Sequence, residues 1–203
     1  RLRATPTPGG WTLDGSAPWV SGWGIVDQLF VAARGPDDTI VNVLVAPHDQ
    51  PGLSARRHEM TAINATSTVA LTFESLHVDA AHVASHLAYD PSQEGGQGLR
   101  LNGSLALGVT RRCCALIGES PLDAELSEAR DFLDGANPES MPRARARASE
   151  LAARAASTLC THRGSPSVLR GDVAERTARE AALLLAFGSR PAIRAALLEY
   201  LSE

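Results

Sequence analysis

Hydrophobic and polar positions in the first half of the chain alternate with a period of two. Val69, Leu71 and Phe73 alternate with Thr68, Ala70 and Thr72, and His77 and Val78 continue the run. Such alternation places every second side chain on one face and predicts a half-buried strand. Leu29 to Ala33 and Ile40 to Ala46 are two further β-rich runs, separated by the turn cluster Gly35-Pro36-Asp37-Asp38. Trp11-Thr12-Leu13 leads into Asp14-Gly15, a pair that accepts positive φ and reads as a strand entering a turn. Four or more short strands between residues 9 and 79 predict a small antiparallel barrel or sandwich.

Asp90 to Gly98 is rich in glycine and polar residues and marks the expected boundary, giving a β domain over 1–90 and a helical domain over 91–203. Beyond it the period lengthens. Leu101, Leu105, Val109, Cys113 and Leu116 with Ile117 share a face at i, i+4, i+8 spacing. A second helix follows Pro142, with Leu151, Ala155 and Leu159 on one side, and a third spans 172 to 186. Gly188 stops the third, and Pro191 suits the first turn of a last helix over 191–202. Residues 119–140 read as a short linker. The fold class is α+β: a small antiparallel β barrel or sandwich, then a C-terminal helical bundle.

Composition narrows the function. Hydrophobic residues make up 44% and charged residues 21%, as in ordinary globular chains. A formal charge of -4 argues against a partner that tracks nucleic-acid phosphates. The longest apolar stretch, Ala181 to Phe187, is far short of the ~20 residues that span a bilayer, and no signal peptide is visible. Cys113, Cys114 and Cys160 show neither a disulfide framework nor zinc spacing, which suits a reducing cytoplasm. The histidines at 58, 77, 82, 86 and 162 form no recurring metal spacing and read as surface residues.

The β half also carries a resemblance. Residues 9 to 46, GGWTLDGSAPWVSGWGIVDQLFVAARGPDDTIVNVLVA, look like the opening of the acyl-CoA dehydrogenase middle domain: a Gly-Gly-aromatic strand, an Asp-Gly turn, and a Trp-x-Ser/Thr signature before an apolar strand. Residues 51 to 83, PGLSARRHEMTAINATSTVALTFESLHVDAAHV, resemble the Pro-Gly-Val strand, the next loop and the Phe-Glu-containing strand of that family. Residues 99 to 117 and the tail from Ala186 to Arg194 agree more loosely with its C-terminal helices. The resemblance implies FAD bound between β and helical domains, oligomeric assembly, and an acyl-CoA-type substrate. It also implies that the family's N-terminal helical domain is missing from this chain, which begins at Arg1. In the implied reaction a Glu takes the α proton of an acyl thioester while the flavin accepts the β hydride.

Residue by residue, Trp19 and Ser21 match the family's flavin-contacting Trp-x-Ser/Thr; the plain alternative is a core Trp and a turn Ser. Gly188 and Ser189 match its Gly-Thr, where backbone approaches the cofactor, though a simple helix stop explains them as well. Phe187 falls where the family's Glu belongs, and Phe cannot accept a proton. Aligning instead on Arg170 and Asp172 brings Glu180 near that place, but four residues after Arg176 it also reads as half of a surface ion pair. Gly98 to Leu101, which correspond to the alternative base position on the first C-terminal helix, hold no carboxylate. Asn64 stands where the family's Arg-x-Ser-x-Thr loop begins, and its diphosphate-holding Arg-x-x-Phe-Gly has no counterpart after Gly118. Arg143, Arg145 and Arg147 could meet a diphosphate or form a solvated helix face. Three readings stay open: an acyl-CoA dehydrogenase-like oxidoreductase, a flavin-dependent monooxygenase relative that needs no carboxylate at the base position, and a non-catalytic oligomer partner of the same fold.

Overall fold

The computed structural model describes residues 1–90, 96–188 and 190–202, in two compact units, Arg1–Pro91 and Ser92–Glu203. The first unit holds seven strands: β1 (Arg3–Thr7), β2 (Gly10–Val20), β3 (Leu29–Arg34), β4 (Thr39–Val45), β5 (Leu53–Arg57), β6 (Val69–Asp79) and β7 (Val83–Ala88). They form one sheet in the order β5-β6-β2-β1-β3-β4-β7. Leu13, Val41, Val43, Val69 and Leu71 lose all contact with water and belong to one apolar cluster. That depth of burial, on strands from both wings of the sheet, requires the sheet to curl over its own apolar face. The hairpin turn between β3 and β4 falls on the expected residues. Asp37 and Asp38 both take positive φ (53° and 58°), as a type I′ turn demands, and Thr39 N donates to Pro36 O at 3.2 Å.

Two features of the sheet depart from the expectation. Pairing is antiparallel except between β1 and β3, which meet in parallel at Arg3 and Arg34. Both β1 and β7 escape the reading of strands over 9–79, for a common reason. β1 buries one residue of its five, Ala4, and contains Pro6; β7 buries none. A strand with so little apolar payload leaves no period-2 signal, and backbone pairing with a neighbour alone recruits it.

The second unit is a bundle of α1 (Gly96–Ile117), α2 (Leu122–Gly135), α3 (Met141–Arg163), α4 (Val173–Ala186) and α5 (Pro191–Tyr200). The presence of α2 overturns the linker expected over 119–140. Leu122, Ala129 and Leu133 are buried on it and Leu126 packs beside them, a helical spacing masked by the charged residues between. Gly103 of α1 lets this contact close, since a Cβ there would come within 2.7 Å of Leu133 Cδ1. α3 is the centre of the bundle and touches the other four helices. Its buried residues lie on nearly all sides, and Ala144, Ala148, Ala152 and Ala155 keep it narrow enough to be surrounded. Asp172 caps α4, accepting from Ala174 N at 2.8 Å.

Candidate functional site

At the end of β2 the sheet loses its regular register. A shift between Ala17 and Val20 lets Val20 return to its pairing with Val69 while Trp19 leaves the inward row. Trp19 is consequently 69% exposed, whereas Trp23, four residues on, is anchored in the core. The plain alternative of a core tryptophan at 19 is thus excluded. Its indole lies against the imidazole of His58, ring centroids 4.4 Å apart and planes 32° apart. The position of His58 is fixed in turn: its Nε2 bonds Pro18 O at 2.7 Å, and its backbone N donates to Thr68 O at 3.1 Å. Since a carbonyl only accepts, Nε2 carries the hydrogen.

The loop after Gly22 is tied to residues 63–67. Gly22 N donates to Thr66 O (2.8 Å), Trp23 N to Ser67 O (3.2 Å), and Ser67 Oγ to Trp23 O (2.7 Å). Ile63 and Ser67 both hold positive φ, 54° and 48°. A β-branched residue rarely adopts this conformation, and such strain gathers at binding sites. Asn64 holds the loop closed: its side chain accepts from Met60 N at 3.0 Å and donates to Met60 O at 2.6 Å. Inside the loop three hydroxyls form a line. Ser21 Oγ lies 2.8 Å from Thr68 Oγ1, which lies 2.7 Å from Thr66 Oγ1, which donates to Ile63 O at 2.9 Å. Trp19 and Ser21, picked out in the sequence, are thus joined by His58, Thr66 and Thr68, which were not. His58 reads as an ordinary surface histidine because its partner, Trp19, lies 39 positions earlier in the chain.

In the helical unit, Glu180 sits on α4 between two arginines, 3.9 Å from Arg112 Nη1 and 3.6 Å from Arg176 Nε. The surface pairing therefore describes it. Phe187 ends α4 and is 43% exposed, so a side chain that cannot take a proton faces outward there. Gly188 turns the chain with φ +63°, and a Cβ would press to 2.7 Å from Asn102 Nδ2. This left-handed residue is a helix stop that only glycine fills easily. Ser189 lies outside the described residues.

The arginine run of α3 makes neither a solvated face nor a diphosphate site, because its three members go to three different places. Arg143 pairs with Glu199 at 2.6 Å; Arg147 pairs with Glu150 (2.5 Å) and Glu125 (2.9 Å). Arg145 is 1% exposed and donates to Ser149 Oγ, Leu184 O (3.1 Å) and Phe187 O (3.2 Å), the carbonyls that end α4. Burial pulls its pKa down to about 10. Near the run, Arg154 and Glu150 extend a lattice of ion pairs with Glu125.

Compared with solved structures, nearly the whole length of the chain superposes on acyl-CoA dehydrogenases and related flavoproteins. The fold is that of the acyl-CoA dehydrogenase middle and C-terminal domains. Butyryl-CoA dehydrogenase from Megasphaera elsdenii matches with a TM-score of 0.71 at 17% identity, covering 100% of this chain and 63% of that one. A glutaryl-CoA dehydrogenase from Mycobacterium smegmatis in complex with FADH2 matches with a TM-score of 0.70 at 20% identity, covering 100% and 61%. The ChsE4–ChsE5 complex from Mycobacterium tuberculosis matches at 0.68 and 20%, covering 100% and 63%. The chain thus spans less than two thirds of each of these proteins. No protein-family model and no curated protein matches the sequence. No helix is long and apolar enough to cross a membrane, and no group of three acidic, histidine or cysteine residues could hold a metal ion among the described residues.

The residues at the end of β2 fit the ring of a flavin. An exposed indole face is a stacking surface, and the exposed Ser21 hydroxyl beside it supplies one polar contact. For the diphosphate, the arginine run on α3 is already committed to protein partners.

Proposed function

We propose that the chain is an acyl-CoA dehydrogenase-like flavoprotein that binds FAD against Trp19 and Ser21 and does not by itself dehydrogenate an acyl thioester. The observation that carries this reading is the exposed Trp19 indole, stacked on His58 beside the Ser21 hydroxyl. A large aromatic side chain turned out of a core and held rigid by a neighbour suits a flat ligand. FAD supplies the redox chemistry when bound, and this chain's residues supply the platform. Abstraction of the α proton needs a carboxylate in a dry pocket, poised near the working pH. Phe187 cannot act so, and Glu180 is held by Arg112 and Arg176. These features favour a role as the flavin-bearing, base-free partner in an assembly. Exposed Leu101, Leu105 and Leu116 along α1 support a dimer or larger.

The test is a titration of the protein with FAD, followed by tryptophan fluorescence and the visible flavin band. Stacking is worth about 0.5–1.5 kcal/mol beyond burial, so Trp19→Ala should weaken binding roughly 3- to 10-fold. Absence of binding, or binding indifferent to Trp19→Ala, overturns the placement. Acyl-CoAs offered with FAD and an artificial electron acceptor should give no turnover. Robust turnover lost in Glu180→Gln would instead make Glu180 the base.

A further inference from the structure

Helices α4 and α5 leave a cleft between them. α5 packs along α3 and meets α4 at few points. The space, about 300 Å³, is walled by Leu185 and Ala186 at the end of α4 and by Arg194, Leu197, Leu198 and Leu201 on α5. Positions 194, 197, 198 and 201 share one face because i, i+3, i+4 and i+7 recur on one side of a helix. Leu198 is 63% exposed and Leu201 56%, so two large apolar side chains of this wall face water. The volume lies at the small end of ligand pockets.

The charge in the cleft is of one sign. Among its walls Arg194 alone is ionisable, and no carboxylate among the described residues pairs with it. The acids of the two helices are engaged elsewhere: Glu199 with Arg143 at 2.6 Å, Glu180 between Arg112 and Arg176, and Glu175 with Arg179 at 2.5 Å. The Leu184 and Phe187 carbonyls, which would otherwise make the end of α4 negative, accept from Arg145. An apolar trough with an uncompensated guanidinium at one end calls for an occupant with an apolar tail and a negative head. Leu201 lies seven residues beyond Arg194 on one helical path, about 10 Å, the span of a chain of roughly eight carbons.

We propose that the α4–α5 cleft binds a free straight-chain carboxylic acid of about eight carbons, its carboxylate on the Arg194 guanidinium and its tail along Leu197, Leu198 and Leu201. A carboxylate accepts two parallel hydrogen bonds from the arginine fork, which an alcohol does not match and an ammonium opposes. The bound tail covers Leu198 and Leu201 and ties α5 to the end of α4, so the acid stabilises the helical unit. The site is separate from Trp19 and Ser21, and it stands whether or not flavin binds there.

The experiment titrates the full chain with octanoate by isothermal titration calorimetry, below the concentration at which octanoate forms micelles. The comparison ligands are 1-octanol, octylammonium and acetate. Octanoate should bind at a single site, and each comparison ligand about tenfold or more weakly, the worth of a hydrogen bond to a charged group. Arg194 is exposed, and Arg194→Gln should weaken octanoate by about tenfold or more while leaving octanol unchanged. A merely structural role for Arg194 would not split the two ligands. Leu198→Asp places a carboxylate in the wall at an exposed position and should abolish octanoate binding, with circular dichroism verifying the fold. In thermal melts octanoate should raise the midpoint of wild type and leave that of Arg194→Gln where it is. Equal affinity for octanoate and octylammonium, or octanoate binding unchanged in Arg194→Gln, overturns the inference. Absence of octanoate binding overturns it too, whether the cleft stands open or a second copy covers it, two cases that light scattering of wild type and Leu198→Asp separates.

Discussion

Replacing Arg145 by methionine should destabilise the helical unit by about 1–4 kcal/mol, although it removes a buried charge without a carboxylate partner. Two terms oppose each other. Burial lowers the pKa of the guanidinium from its ordinary value to about 10, and at ~1.36 kcal/mol per tenfold change in acidity this costs the folded state about 3 kcal/mol. Against it stand three charge-assisted bonds, to Ser149 Oγ, Leu184 O and Phe187 O, at about 1.5 kcal/mol or more each. The bonds exceed this by about 1–2 kcal/mol, of which the buried Nε, left without a partner, takes back about 1 kcal/mol; Met adds the penalty of leaving Phe187 O, at the end of a helix, without its arginine donor, about 1–3 kcal/mol. The sign with pH is favourable to the measurement. A cation with a depressed folded pKa carries its full cost below about pH 10 and sheds it only as pH rises above that toward the ordinary arginine value, so at pH 7 the whole balance is present. Urea denaturation followed by helical circular dichroism reads the difference, and Arg145→Lys, a point charge without the fork, should fall between the two. A methionine variant as stable as wild type, or more so, would refute the reasoning by showing that burial of the charge outweighs its bonds.

Three further outcomes are expected. Leu133→Ala, at the contact with Gly103, should cost about 2–5 kcal/mol in the same assay, because Leu133 is 1% exposed. A hydrogen bond from Arg154 holds the Glu125 carboxyl below its ordinary value of 4.5; its contribution is full above that pH and fades as pH falls through the lowered folded value, so Glu125→Gln should flatten the acid limb of the stability profile. Burial pushes the Cys113 thiol up to about 11. Thiol reagents at pH 8 should therefore label Cys160 in the native protein and reach Cys113 only on unfolding, as mass spectrometry of the labelled peptides will record.

Most of the fold was legible in the sequence wherever burial and period coincide. β6 and β4 announce themselves because Val69, Leu71 and Phe73 in the one, and Val41, Val43 and Val45 in the other, are apolar and buried at every second position. The same signal exists in α2 at Leu122, Leu126, Ala129 and Leu133, yet charged residues dominate the segment and a linker reading displaced it. Arg145 illustrates a harder limit. Two residues from Arg143 and two from Arg147, it differs from them in nothing but its position around the helix, and only the packing of α4 against α3 makes it the buried one. At the candidate site, Trp19 and Ser21 could be found by their spacing. His58, Thr66 and Thr68 could not, because their roles depend on pairings between residues 39 to 47 positions apart.

The order of the sheet leaves β5 and β7 as its two outer strands, and they are guarded differently. β5 closes with Arg56 and Arg57, both exposed, whose charge discourages another strand from pairing there. β7 has no arginine, aspartate or glutamate between Val83 and Ala88, and its Leu87 is 61% exposed. An extended chain, whether a natural peptide or a second copy in concentrated solution, would find its template along β7. A charge placed at Leu87 would close that route without touching the core, which makes it the first substitution to try if the protein precipitates.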